Sequence, residues 1–348
     1  MVPYCSLTKQ RLLDYLNEHS EKSFHATQLF HAIYQKKVRD FDEVTTLSKT
    51  LRNQLKQDFA FPILKQIKTQ ASKDGETEKF LFQLQDNALV ESVLIYSKHR
   101  RTLCVSSQVG CPARCSFCAS GKKGLIRQLS AAEIVEQALW VSKYLEDKNE
   151  RLSHIVFMGM GEPLENFDAV MHAIRILIDP EAFGLSKRRI TVSTVGVVDK
   201  IYQLIKEDLK INLVISLHAP SQKVREKIIY YARKYPIEDI LQAAKAYFLA
   251  TKRDITFEYT LIEEINDSVE QAKELAELLK DYQCTVNLIP YNPVDFVRYK
   301  RPSVERIDAF HQVLLQSKIP TTRRYTKGVD IQAACGQLAL KEEKSICC

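Results

Sequence analysis

Over residues 8–17, 25–36 and 48–57 apolar side chains recur at three- and four-residue intervals, the spacing that gives an α-helix one apolar face. Three short helices in a row predict a small helical module. The period changes over residues 67–97. There, residues 79–84 and 89–95 are rich in aliphatic, β-branched and aromatic side chains and flank Asp86-Asn87, which predicts a β-hairpin connecting the module to the rest of the chain. The basic run Lys98-His99-Arg100-Arg101 ends the hairpin and marks a boundary near Arg100.

Beyond it, β-rich runs at 102–106, 154–158, 189–194, 211–217, 255–261 and 284–289 alternate with helical patterns such as 131–145, 167–178, 237–250 and 268–282. Strand alternating with helix predicts an α/β fold with a parallel sheet and helices outside it, either doubly wound or a βα barrel. Six units suit a partial (βα)6 barrel. The expected division is a helical accessory domain at 1–65, a hairpin linker at 66–100, the partial barrel at 101–340 and a tail at 341–348. In such sheets the loops after the carboxyl ends of the strands build the site, so the chemistry is sought there.

Composition narrows the class. With 348 residues, 45% hydrophobic and 27% charged, the chain has the balance of an ordinary globular protein, which excludes a disordered or fibrous one. A net charge of +7 permits a polyanionic partner without demanding one. No apolar run reaches the ~20 residues of a membrane helix, and residues 1–15 lack the basic start and long apolar stretch of a signal peptide. A cytoplasmic protein with no membrane partner is expected. In that reducing setting the nine cysteines, at 5, 104, 111, 115, 118, 284, 335, 347 and 348, read as metal ligands, reactive thiols or core residues rather than a disulfide framework.

Cys111, Cys115 and Cys118 are spaced C-x3-C-x2-C on the loop after the first barrel strand, so three thiolates on one short loop converge on a metal centre. A structural zinc would need a fourth ligand from afar, His218 or Cys104. A 4Fe-4S cluster held by three cysteines instead leaves one iron open to a small molecule. This spacing in this place resembles the radical S-adenosylmethionine (SAM) enzymes, whose open iron chelates SAM and whose reduced cluster cleaves it to a 5′-deoxyadenosyl radical. Met158-Gly159-Met160-Gly161-Glu162-Pro163 falls at the end of the second strand. Its glycines let the backbone approach a ligand closely, and Glu162 can accept from the SAM amino group.

The stretch from Thr102 to Cys111, the MGMGEP loop and the late Asp330-Ile331-Gln332-Ala333-Ala334-Cys335-Gly336-Gln337-Leu338 together resemble the RlmN/Cfr family of RNA methyltransferases. Gln28 to Tyr34 and Val90-Glu91-Ser92-Val93 extend the resemblance over almost the whole chain. Carbon 2 of adenine is electron-poor and has no lone pair, so direct attack on a SAM methyl group is closed to it and a radical route is needed. The resemblance implies one SAM to methylate Cys335 and a second to activate that methyl for addition to the base. A covalent protein–RNA adduct follows, Glu91 removes the ring proton, and Cys104 attacks Cys335 to release methylated RNA and leave a disulfide. Ser193, Ser216, Leu217, His218 and Asn292, at the ends of later strands, resemble residues that contact SAM. By itself Cys104, in an apolar strand, reads as core, as does Cys284; Cys5 is given no role.

The chain departs from the family at Ile229-Tyr230-Tyr231-Ala232 and at Gln332. Gly161-Glu162-Pro163 and Asn287 to Asn292 favour the RlmN branch, which methylates carbon 2, over the Cfr branch, which methylates carbon 8 and gives antibiotic resistance. The resemblance therefore implies 23S rRNA and tRNA as substrates, an external electron donor such as flavodoxin, and a monomer. A non-enzymatic iron–sulfur or zinc protein that binds RNA is the competing class, and it leaves Cys104, Cys335 and the MGMGEP loop without a task. RNA contact is expected from the basic clusters at 98–101, 122–127, 187–189, 298–301 and 323–327, which would ring the barrel mouth.

Overall fold

Five helices start at a hydroxyl that accepts the backbone N–H three residues on: Thr8 from Arg11, Ser48 from Leu51, Ser130 from Glu133, Ser268 from Gln271 and Ser303 from Arg306. These caps fix where the apolar-periodic stretches begin. They open α1 (Lys9–Glu18), α3 (Lys49–Asp58), α4 (Ala131–Glu146), α9 (Val269–Leu279) and α10 (Val304–Gln316); between them lie α2 (Phe24–Tyr34), α5 (Phe167–Ile178), α6 (Val198–Lys206), α7 (Gln222–Ile228) and α8 (Ile237–Thr251). The computed structural model describes residues 1–60, 63–294, 297–324 and 327–338. The expected tail at 341–348, with Cys347 and Cys348, lies outside the described residues. Among the described residues no helix is long and apolar enough to cross a membrane.

Among the described residues ten strands form one sheet in unbroken chain order: β1 (Leu64–Ala71), β2 (Thr77–Leu84), β3 (Leu89–Ser97), β4 (Arg100–Cys104), β5 (His154–Phe157), β6 (Ile190–Thr194), β7 (Asn212–Ser216), β8 (Ile255–Leu261), β9 (Cys284–Pro290) and β10 (Thr321–Arg323). From β4 to β10 every neighbour is parallel, while β1 to β4 run antiparallel. The partial α/β barrel with a small helical module at its start is therefore what the chain builds. Two features differ from expectation. A seventh parallel strand, β10, follows the six, and the two-stranded hairpin is a three-stranded meander whose β3 pairs directly with β4. Both additions are polar edge strands, Leu-Lys-Gln-Ile-Lys-Thr-Gln-Ala and Thr-Thr-Arg, and lysine-rich or very short edges lack a hydrophobic period.

β2 is buried on both faces. Phe80 and Phe82 pack on α4, with ring centroids 5.1 and 5.4 Å from Trp140, and the alternate residues point into the barrel. The helical module is fastened to the barrel through Cys5, whose thiol donates to Ala132 O, while Tyr34 braces that segment from within the module, its hydroxyl donating to Cys5 O and Leu7 O.

Candidate active site

Register places the two residues expected to act from strands. Glu91 on β3 stands opposite Leu81, and Val93, two residues on, stands opposite Cys104 of β4. Directly opposed residues share a face and so do residues two apart, so Glu91 and Cys104 face the same side of the sheet on adjacent strands. Lys79 of β2 lies on that face too, its Nζ 2.9 Å from Glu91 Oε1, with both side chains less than a tenth exposed. Cys104 is buried, and burial pushes its thiol up to about 12, partly opposed by the charge of Arg324.

The three clustered cysteines lie on a loop tied down on several sides. Cys111 N–H donates to Gly124 O at 3.0 Å across a small ribbon of 108–110 with 125–128. Gly110, at φ +77°, is required there because a Cβ would come within 2.1 Å of that carbonyl oxygen. Cys111, Cys115 and Cys118 line one cavity with Gly161, Glu162, Ser193, Ser216, His218, Glu258, Asn292, Arg324 and Cys335. Cys335 reaches it on the 328–338 segment, which is anchored along its length. Lys79 Nζ donates to Gln332 O, Asn292 Nδ2 to Cys335 O at 3.2 Å, Ala119 N to Gly336 O at 2.7 Å and Ser120 Oγ to Leu338 O.

Several strand-end residues are fixed by burial and by backbone hydrogen bonds. Glu162 is buried; its Oε1 accepts from Leu164 N and its Oε2 from Val195 N, and burial raises its carboxyl to about 7. Gly161 has φ +110°, and a Cβ would sit 2.7 Å from the Gln108 side chain. His218 Nδ1 accepts from Thr260 N, which puts its proton on Nε2, and burial lowers the ring to about 3, so it is a neutral imidazole. Ser193 and Ser216 reach the cavity from β6 and β7. Leu217 does not: its side chain is wholly buried, its N–H donates to Glu258 O and its carbonyl accepts from Arg225.

The cavity fits a cluster with a polar ligand. Three of its lining groups, Asn292 Oδ1, Glu258 Oε2 and the Tyr291 hydroxyl, are buried without a hydrogen-bond partner among the described residues, a costly state unless a ligand supplies one. Burial also pushes the thiols of Cys111, Cys115 and Cys118 up, so a cationic centre is what would hold them as thiolates. Among the described residues no three His, Cys, Asp or Glu side chains are arranged around a single ion. His218 lines this cavity and Cys104 does not; in a cluster each thiolate takes its own iron, and no fourth protein ligand is called for.

Sequence reasoning missed Lys79, Glu258 and Arg225, and it read Arg324 as part of a basic cluster for RNA, whereas Arg324 lines the cavity. A lysine opening the apolar run 79–84 and a glutamate central in Ile-Thr-Phe-Glu-Tyr-Thr-Leu were usable signals, since a charge inside a buried strand needs a reason. Arg225 carries no such mark. The basic clusters do not all ring the mouth. Lys187, Arg188 and Arg189 precede β6 and lie at the amino-terminal end of the parallel strands, while Arg101 pairs with Glu150 and Arg127 with Asp86 and Glu133.

Residues 105–288 match the Radical SAM superfamily and residues 4–60 match the ribosomal RNA large subunit methyltransferase N-terminal domain. The chain is 55% identical over 341 residues to a probable dual-specificity RNA methyltransferase RlmN 2 of Protochlamydia amoebophila, covering 98% of this chain and 95% of that one. It is 46% identical over 337 residues to a probable dual-specificity RNA methyltransferase RlmN of Lysinibacillus sphaericus, covering 97% and 88%. A crystal structure of a radical SAM methyltransferase from Sphaerobacter thermophilus superposes with a TM-score of 0.94 at 43% identity, over 97% of this chain and 99% of that one. Its cofactors are accordingly a 4Fe-4S cluster and SAM, and the chain belongs to the RlmN family of radical SAM RNA methyltransferases.

Proposed function

We propose that this protein methylates carbon 2 of adenosine in 23S rRNA and in tRNA, in the cytoplasm, through S-methylation of Cys335 and a covalent protein–RNA adduct. The observation that carries the reading is the meeting of Cys335 with Cys111, Cys115 and Cys118 in one cavity, the carrier loop hydrogen-bonded to the cluster loop from Ala119 N to Gly336 O. When bound, the cluster and SAM supply an electron, a methyl group and a carbon-centred oxidant, two SAM molecules serving each turnover. Cys111, Cys115 and Cys118 would hold the cluster; Gly161, Glu162, Ser193, Ser216, His218 and Asn292 would hold SAM across the strand ends.

The chain's own residues then divide the remaining work. Cys335 Sγ carries the one-carbon unit and bonds the base through it. The Glu91 carboxylate takes the proton that carbon 2 must lose, and the electron released with it would return to the cluster. Cys104 Sγ, giving up its proton, attacks Cys335 Sγ to form the disulfide; the carbon–sulfur electron pair leaves with the carbon, which takes up a proton to become the methyl group. Burial of Glu91 and Cys104 on one face keeps water from the adduct before that step. Residues 1–65 serve as the RNA-binding accessory domain, residues 66–100 carry Glu91, and residues 101–340 carry the chemistry. The test is to incubate anaerobically reconstituted protein with SAM, a reductant and either a 23S rRNA fragment or tRNA, and to identify the methylated nucleoside by mass spectrometry. The reading requires 2-methyladenosine from both RNAs; 8-methyladenosine, or no product from either, overturns it.

A further inference from the structure

Arg225, on the short helix α7, is fully buried. Its guanidinium donates to four main-chain carbonyls: Nε to Leu217 O at 3.2 Å, Nη1 to Tyr235 O at 3.2 Å, and Nη2 to Val195 O and to Ser216 O, the latter at 3.4 Å. Among the described residues no carboxylate pairs with it. A buried cation without an anion is costly, and four carbonyl dipoles offset that cost while leaving its charge unneutralised. The carbonyls are placed informatively. Val195 directly follows β6, while Ser216 and Leu217 end and follow β7, so one planar fork clamps the carboxyl ends of the two strands that present Ser193 and Ser216 to the cavity.

The same helix also holds the cluster loop. α7 ends at Ile228, whose carbonyl accepts from Ser116 N at 2.9 Å and from Ser116 Oγ at 3.2 Å. Ser116 lies between Cys115 and Cys118. Arg225 lies one helical turn before Ile228, beside the loop that carries Cys115 and Cys118. Helix α7 is thus a bridge with the thiolate loop at one end and the strand ends at its flank.

We infer that Arg225 is a positioning residue with two effects: it holds the cysteine loop and the cofactor-facing strand ends in one frame, and its unneutralised charge favours the reduced state of the cluster. The second effect rests on the placement of the cluster on Cys111, Cys115 and Cys118. Reduction adds negative charge to a thiolate-ligated centre, so a buried positive charge nearby raises its potential.

The experiment compares wild type with Arg225→Lys, Arg225→Met and Arg225→Gln, each reconstituted anaerobically. It records iron content, thermal unfolding of the cluster-free protein, and the cluster's midpoint potential by reductive titration with electron paramagnetic resonance. Arg225→Lys keeps the charge but cannot span four carbonyls, so it should melt earlier and keep its potential near wild type. The charge-free variants should melt earlier and shift to more negative potential; if neither holds iron while Arg225→Lys does, the electrostatic effect stands as well. A lysine variant as stable as wild type overturns the frame, and a charge-free variant with the wild-type potential overturns the electrostatic effect. Failure of the cluster placement would look different: Cys115→Ala would retain wild-type iron.

Discussion

Lys79 and Glu91 form a buried ion pair on adjacent strands, Nζ to Oε1 at 2.9 Å, and the same ammonium donates to the carbonyl of Gln332 in the segment that carries Cys335. The proposed base and the proposed methyl carrier are therefore joined through one side chain. Removing one partner of a buried pair strands the other, at a cost of about 3–5 kcal/mol. Lys79→Met should lose stability of that order in denaturant unfolding, and Lys79→Arg much less. A Lys79→Met protein within about 1 kcal/mol of wild type would show that the pair is not held as described.

Glu91→Gln keeps the shape of the side chain but cannot accept the ring proton as a carboxylate does. It should methylate Cys335 normally and form the RNA adduct, then stall before release. Mass spectrometry of the tryptic peptide containing Cys335 and denaturing gels of the RNA mixture report the two halves separately. Normal turnover by this variant would exclude Glu91 as the base.

Burial holds Cys104 as a thiol, raised to about 12, and Arg324 is the charge that pulls it down. Attack on a sulfur needs the thiolate, so adduct release in a single turnover should quicken by about tenfold per pH unit below that value wherever this step limits. Arg324→Gln should slow release at every pH by raising the thiol further. A release rate flat from pH 7 to 9 in the wild type would place the limiting step elsewhere.

A different titration tests the junction of the helical module with the barrel. Glu136 on α4 accepts from Ile63 N at 2.9 Å and is raised by burial from 4.5 to about 8. As pH rises from about 4.5 to 8 the unfolded chain ionises this group while the folded chain keeps it protonated. Its contribution to stability is complete below about 4.5, declines across that window and levels off above 8, a change of a few kcal/mol at most. Glu136→Gln should flatten the pH dependence of thermal unfolding there. An unchanged slope in the variant would assign the effect to other groups.

Much of this was legible in the sequence because the parallel strands β5 to β9 bury at least every second residue and are rich in Ile, Val, Leu and Phe, and because C-x3-C-x2-C and MGMGEP are local motifs on single loops. The edge strands β1 and β10 were not, since an exposed edge is selected for polarity. Nor was the pairing of Lys79 with Glu91, which depends on register between strands joined by a turn, or the clamp of Arg225, whose partners are backbone carbonyls that no side-chain pattern announces. Leu217 shows the converse: adjacency to Ser216 and His218 placed it in the motif, but alternation along the chain turned its side chain into the core.

The most direct test concerns Cys335, which lines the cavity, and Cys104, buried on β4, neither of which belongs to the cysteine loop. Purified Cys335→Ala and Cys104→Ala proteins, each with full iron, are mixed with substrate RNA, SAM and reductant and run on denaturing gels. The account predicts covalently linked RNA with Cys104→Ala and none with Cys335→Ala; crosslinked RNA in the Cys335 variant, or its absence in the Cys104 variant, would contradict it.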